Sequence, residues 1–250
     1  MGNSAANLLT SVDSLFTTQE QRDEAQREFV LEIPTEEISD FPDAPFKVRM
    51  DDAMMELVDS VRQRGVLLPA LVRPMPEGGY QMVAGQRRKR ATKLAERPTL
   101  SCIVRELTDD EATIIMVDSN LQQREQILPS EKAFAYKMKL DAMKRQAGRP
   151  SKNNSVPLAQ NFEGKTSRQI LGEQVGESQD QVRRYIRLTH LLPELLDMVD
   201  NTVLKESGKL QMALRPAVEL SYLPEEEQRA LLETMTSEDR TPSHAQAIKM

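Results

Sequence analysis

Gly85-Gln86-Arg87-Arg88-Lys89-Arg90-Ala91 places four cations in consecutive positions behind a glycine. The alternating run Tyr80–Ala84 precedes it, and a helix is expected over Lys89 to Ala95. A glycine at a strand-to-helix junction lets backbone approach a ligand closely, and a helix start leaves N–H groups unpaired. Those donors, the positive helix end and four cations suit a polyphosphate. The competing reading is a solvated basic helix face.

A second constellation spans Thr166 to Leu188. Thr166 or Ser167 can cap a first helix holding Ile170, Leu171 and Gly172. Gly176 then makes a turn, Ser178 caps a second helix, and Val175, Val182 and Tyr185 supply core positions. This spacing fits a helix-turn-helix. Gln179, Gln181, Arg183, Arg184 and Arg187 lie on the outer face of the second helix. Glutamine and arginine make paired contacts with adenine and guanine edges or hold phosphates. Thr166, Ser167, Arg168 and Ser178, at the two helix starts, complete the candidate DNA contacts. The plain alternative is an αα-hairpin in a helical domain.

The elements needed to position these groups are legible in order. Phe29–Ile33 alternates like a strand. Met50 to Gln63 reads as a helix with Met54, Leu57, Val58 and Val61 on one face, Asp51 and Asp52 at its start and Gly65 at its end. Val66–Pro74 reads as loop then strand, Glu77–Gly79 as a turn, and Leu100–Val104 as another strand. Thr108 or Asp109 caps a helix carrying Ala112, Ile115 and Met116. Strands and helices thus interleave in an α/β unit up to about Gln122. From Ser130, expected as a cap, a long helix runs to about Gln146. Gly148 to Gly164 reads as a linker in which Gly148-Arg149-Pro150 matches the core of an AT-hook. Pro193–Val199, Arg215–Leu220 and Glu225–Leu232 read as helices bracing the second constellation, with a further helix beginning at Ser243. Residues 1–28 read as a flexible tail or a short partner-binding helix.

Composition sets bounds. The 250 residues carry one cysteine, two histidines and no tryptophan. An internal disulfide is excluded, and a transition-metal site is poorly provided for. Cys102, in an apolar run, reads as a small buried hydrophobe. No run approaches the roughly 18 apolar residues of a membrane span, and no signal peptide is evident, so a cytoplasmic protein is expected. The net charge of −6 conceals a division. Residues 137–187 hold eleven Lys/Arg against five Asp/Glu, which places a basic stretch on the second constellation.

Taken together, the chain resembles the ParB/Noc family of partition proteins, in a variant similar to those of plasmids and other mobile elements. The resemblance rests on Gly65-Val66-Leu67-Leu68-Pro69 with Leu71–Pro74, on Gly85–Ala91, on Asn120-Leu121-Gln122-Gln123-Arg124, and on Leu128–Ala133 followed by the helix-turn-helix. It implies a ParB/sulfiredoxin-like α/β domain over 29–125 and an all-α helix-turn-helix DNA-binding domain over 126–250. It further implies CTP and Mg²⁺ as ligands, closure of two protomers through the N-terminal domain into a DNA clamp, and loading at a palindromic parS-like site. Nucleoid or plasmid association follows, with a ParA-type ATPase as a possible partner. Carried over by motif, Gly85, Gln86, Arg87 and Arg88 hold the triphosphate. Asn120 lies by the metal and phosphates, and Gly65, Leu67 and Pro69 border the base.

The sequence departs from the family at Gln86 and Ser119, where glutamates are usual, and at Leu68, where a glutamine is common. Glutamine and serine cannot act as carboxylate bases or anionic metal ligands, so CTP hydrolysis is expected to be slow or absent. Asp118 is a candidate substitute ligand. The family's C-terminal dimerisation domain and basic N-terminal peptide are not evident. Two alternatives remain: a transcriptional or replication regulator whose N-terminal domain only mediates protein contacts, and an enzyme of the same fold.

Overall fold

A computed structural model describes residues 29–124, 126–147, 165–205 and 207–249. The 1–28 tail and the whole of the expected Gly148–Gly164 linker, with its AT-hook-like triplet, lie outside the described residues. A mixed five-stranded sheet, ordered β1-β5-β3-β4-β2, forms the first half. Its strands are β1 (Val30–Pro34), β2 (Ile38–Ser39), β3 (Ala70–Pro74), β4 (Tyr80–Ala84) and β5 (Thr99–Val104). β5 pairs antiparallel with β1 and parallel with β3, while β4 pairs antiparallel with β3 and parallel with β2.

Alternation of side chains along the strands gives the sheet two apolar faces. Ala70, Val72, Met82, Leu100 and Cys102 pack together on one face, with Val66 against them. Val66 also touches the cluster formed by α1 (Asp52–Arg64) and α2 (Gln86–Leu94). Val83 and Leu71 face the other way, onto Ala112, Met116 and Val117 of α3 (Asp109–Gln123). Asp51 caps α1 through the amide of Met54, and Gly65 ends it at φ 74°. α2 starts three residues before the expected Lys89, because Gly85 at φ 115° turns the chain from strand to helix in a single step.

α4 (Pro129–Ala147) joins the two halves. Its Ala135 packs with the α3 cluster, its Tyr136 and Leu140 with Leu171 and Val182, and its Ala133 with the C-terminal helices. Ser130 is not its cap. The helix opens at Pro129, whose missing N–H and fixed φ suit a first turn. Ser130 instead donates its amide and hydroxyl to Asp200. Beyond α4 lie α5 (Ser167–Val175), α6 (Gln179–Arg187), α7 (Pro193–Leu204), α8 (Leu214–Leu220), α9 (Glu225–Glu238) and α10 (His244–Ala247). α7 and α9 each run past the ends expected from the sequence, because Asp200 and Asn201 in α7 and Met235 in α9 continue their buried faces. No helix among the described residues is long and apolar enough to cross a membrane.

Candidate functional site

The basic run forms the first turns of α2. Gly85 sits so close to β3 that an added Cβ would lie 2.9 Å from the Ala70 Cβ. That approach brings the start of α2, with its unpaired amide donors, against the loop between α1 and β3. Arg88 spans the gap, donating to the carbonyls of Leu68 (2.8 Å) and Pro69. Burial lowers its pKa from the usual guanidinium value. Pro69 is thus held against Arg88, Leu67 and Leu68 project into solvent at 69% and 73% exposure, and a Cβ on Gly65 would lie 3.7 Å from the Arg97 guanidinium.

Two of the other cations are also engaged. Arg87 reaches Asp51 at 3.2 Å, and Lys89, buried, pairs with Asp40. The hydrogen bond from the Met54 amide, reinforced by Arg87, holds the exposed Asp51 carboxyl below its ordinary pKa. Arg90 is exposed. Gln86 is half-buried at the first position of α2.

Asn120 lies near the end of α3, 9% exposed. Its amide donates to the Met116 carbonyl at 2.9 Å and accepts from Arg124 at 3.2 Å. Arg124 in turn meets Glu131 and stacks over Phe46 at 5.2 Å. The Ser119 hydroxyl donates to the Met116 carbonyl. Asp118, the candidate substitute ligand, is paired through one carboxylate oxygen with Lys139. Among the described residues no three His, Cys, Asp or Glu side chains are placed to hold a metal ion. The donor set fits an anion and does not fit a resident metal.

In the second half, Thr166 caps α5 through a reciprocal capping box with Gln169. Gly176, at φ 69°, ends that helix, and Ser178 caps α6 through the Gln181 amide. A Cβ on Gly172 would stand 2.6 Å from the Glu177 carbonyl oxygen, so glycine sets how closely the two helices approach. Val182 is fully buried, and Tyr185 meets Tyr136 edge to face at 5.8 Å. Gln179, Arg183 and Arg184 are exposed; Gln181, Ser167 and Arg168 are half-exposed. Gln181 and Arg184 also line a cavity of about 770 Å³ with Gln211, Arg215 and His244. Arg187 is set apart from this face. It donates to the Ser221 hydroxyl (3.1 Å) and carbonyl (2.6 Å) and lies over the Tyr222 ring at 4.0 Å.

Sequence reasoning missed Lys139, which ties α3 of the α/β half to α5 of the helix-turn-helix. Its side chain is 1% exposed, and its ammonium bridges Asp118 of α3 and Gln174 of α5. A signal was available. Position 139 shares a helical face with Ala135 and Ala142, both fully buried, so a lysine there needed a partner.

Residues 19–121 match the ParB N-terminal domain family. The chromosome-partitioning protein Spo0J of Thermus thermophilus is 32% identical over 171 residues, covering 68% of this chain and 55% of that one. The nucleoid occlusion protein of Listeria monocytogenes is 29% identical over 231 residues, 92% of this chain and 68% of that one. The chromosome-partitioning protein ParB of Caulobacter vibrioides is 38% identical over 116 residues, 46% and 38% of the two chains. This chain spans about half the length of the curated relatives it matches. Among solved structures, C-terminally truncated ParB from Caulobacter crescentus complexed to the centromeric parS site matches 88% of this chain and 100% of that one. Its identity is 24% and its TM-score 0.48.

Proposed function

Because this chain belongs to the ParB/Noc family, we propose that it is a partition-type DNA-binding protein in which a CTP-binding α/β domain gates a helix-turn-helix on double-stranded DNA. One arrangement carries the reading. A glycine-initiated basic helix start faces a loop that Arg88 holds, and Lys139 links the same domain to α5. The start of α2 supplies backbone donors and cations for phosphates, and the Gly65–Pro69 loop borders the base. α6 presents Gln179, Gln181, Arg183 and Arg184 to the major groove of a palindromic parS-like site, with Thr166, Ser167, Arg168 and Ser178 along the phosphates. Arg187 braces α6 from behind.

Bound nucleotide supplies charge that competes for Arg87 and Arg88. Arg87 and Arg88 would hold its phosphates at the expense of their contacts with Asp51 and the loop carbonyls. We assign no step to Mg²⁺; Asn120 is the oxygen donor at hand, and Arg124 already occupies it. Gln86 lacks a carboxylate, so binding without turnover, or with slow turnover, is the expected behaviour. Closure through the N-terminal domain makes the clamp a homodimer. Its setting is the nucleoid or a plasmid or mobile element, with a ParA-type ATPase as the partner protein.

A regulator whose N-terminal domain only mediates contacts is the second reading. It is favoured by the prior engagement of Arg87, Arg88 and Lys89 with protein groups. Cysteine crosslinking between protomers, with and without CTP and operator DNA, separates the two. Crosslinking rises with CTP for a gated clamp, and CTP-independent crosslinking would rule that clamp out.

A further inference from the structure

Arg49 lies between β2 and α1, and no motif in the sequence singles it out. Hydrogen bonds on either side fix where it sits. Two residues earlier, the Lys47 carbonyl accepts from Arg124 at 3.1 Å and the Lys47 amide donates to Glu131 at 3.0 Å. Two residues later, Asp51 receives Arg87 at 3.2 Å. Arg49 is therefore held between Arg124, at the end of α3, and Arg87, in the first turn of α2.

Three guanidiniums share this locality, and the nearby carboxylates are committed. Asp51 caps α1 and pairs with Arg87. Glu131 pairs with Arg124 and accepts the amides of Lys47 and Leu128. Burial first, and then the positive charges of Arg87 and Arg49 acting against Glu131, lower the pKa of Arg124. Arg49 Nη2 is buried and has no hydrogen-bond partner among the described residues. A charged donor removed from water without an acceptor is costly, and such orphans mark places where an anion or water belongs. The start of α2 adds unpaired amides to the same locality.

We propose that Arg49 is a phosphate-binding residue whose buried Nη2, together with Arg87, grips the phosphate chain of a nucleoside triphosphate. The assignment rests on the nucleotide reading of α2 given above. Arginine suits this task because its planar fork can hold two phosphate oxygens at once.

The test is calorimetric titration of wild type and Arg49→Ala with CTP, CMP and inorganic tripolyphosphate, with operator-DNA affinity measured alongside. Arg49→Ala should weaken CTP and tripolyphosphate binding by about tenfold or more, the scale of one charge-assisted hydrogen bond. CMP and operator-DNA affinity should be unchanged. The unliganded variant should melt no lower than wild type, since it loses an unpaired buried donor. If Arg49→Ala fails to fold, Arg49→Lys takes its place; it keeps the charge, loses the fork and should show a smaller loss. Wild-type CTP affinity in the variant overturns the proposal, as does a loss confined to DNA binding. If wild type binds tripolyphosphate through Arg49 and ignores CTP, the Arg49 site stands and the nucleotide reading falls. Binding of neither probe to wild type overturns both.

Discussion

Lys139 and Asp118 form an ion pair in which the lysine side chain is 1% exposed and the aspartate 30%. The same ammonium donates to Gln174 at 2.6 Å, so one group ties α3 to α5. Removing one partner of a buried pair leaves the other uncompensated, and the partial exposure of Asp118 softens that cost. Lys139→Met should lower stability by about 1–3 kcal/mol. Asp118→Asn should cost less, and the double variant should be less destabilised than the two singles combined. Urea denaturation of the four proteins measures the coupling. Strict additivity would show that the bridge does not join the halves.

Gly172 lies within α5 and Gly176 in the turn that follows it, and the two glycines serve different ends. At Gly172 a Cβ would collide with the Glu177 carbonyl at 2.6 Å; at Gly176 nothing among the described residues lies within 4 Å, and only the positive φ matters. Gly172→Ala should cost about 2–3 kcal/mol through overpacking against backbone and should abolish operator binding. Gly176→Ala should cost about 1 kcal/mol from left-handed strain alone and should retain binding. Thermal melts with an operator-shift assay distinguish the two.

Arg184 and Arg187 lie one turn apart on α6 and differ in what they touch. Arg184 is exposed at the rim of the α6 cavity. Arg187 is fixed to Ser221 and stacked on Tyr222. Arg184→Ala should weaken operator binding by about 1–3 kcal/mol with no change in stability if it reads a base. Arg187→Ala should lower stability by about 1–2 kcal/mol, from two hydrogen bonds and a cation–π contact. Paired denaturation and fluorescence-anisotropy titrations should show opposite patterns for the two variants.

Legibility in the sequence followed the range of the interactions. The caps at Thr166 and Ser178 and the turns at Gly65, Gly85 and Gly176 are local, and each appears in the structure where its residue type pointed, whereas Asp51, expected inside the first turn of a helix from Met50, is the cap of a helix that starts at Asp52. The periodic apolar faces of α1 and α3 were legible for the same reason. The partners of the charged residues were not. Arg88 with Pro69, Lys89 with Asp40, Arg124 with Glu131 and Ser130 with Asp200 are contacts made by tertiary folding, and spacing carries no information about them. Arg187 illustrates the consequence. Helical periodicity placed it on the outer face of α6, and the neighbouring α8 end then claimed its guanidinium.

Asp200 supplies a pH-dependent link between α7 and the start of α4. It is 3% exposed and accepts the Ser130 amide at 2.9 Å. Burial raises its pKa above 3.8, although the Ser130 hydrogen bonds partly oppose the rise. The native state therefore keeps a proton that the unfolded chain has already released. From this group, stability falls as pH rises from about the unfolded value to the raised folded one, and stays at the lower level above that. Asp200→Asn removes the titration and keeps an amide oxygen for Ser130. Urea denaturation at pH 4 and pH 7 should show a smaller loss of stability with rising pH in the variant. An identical pH slope in the two proteins would assign the dependence to other carboxylates.

Gly85 and Ala70 are in near contact where β3 passes the start of α2, and the Arg88 side chain lies on the same spot. An alanine at 85 would place its Cβ 2.9 Å from the Ala70 Cβ and 3.3 Å from the Arg88 Cζ, at a φ of 115° that side chains rarely adopt. Strain and overpacking together should cost about 2–4 kcal/mol. The displaced guanidinium should also release the Leu68 and Pro69 carbonyls. Ala70→Gly in the same chain removes the nearest clash and leaves the backbone strain and the Arg88 contact. The double variant should therefore regain part of its stability while amide exchange at Leu67 and Leu68 stays fast. If exchange in the loop is unchanged in Gly85→Ala, Arg88 is not what holds that loop.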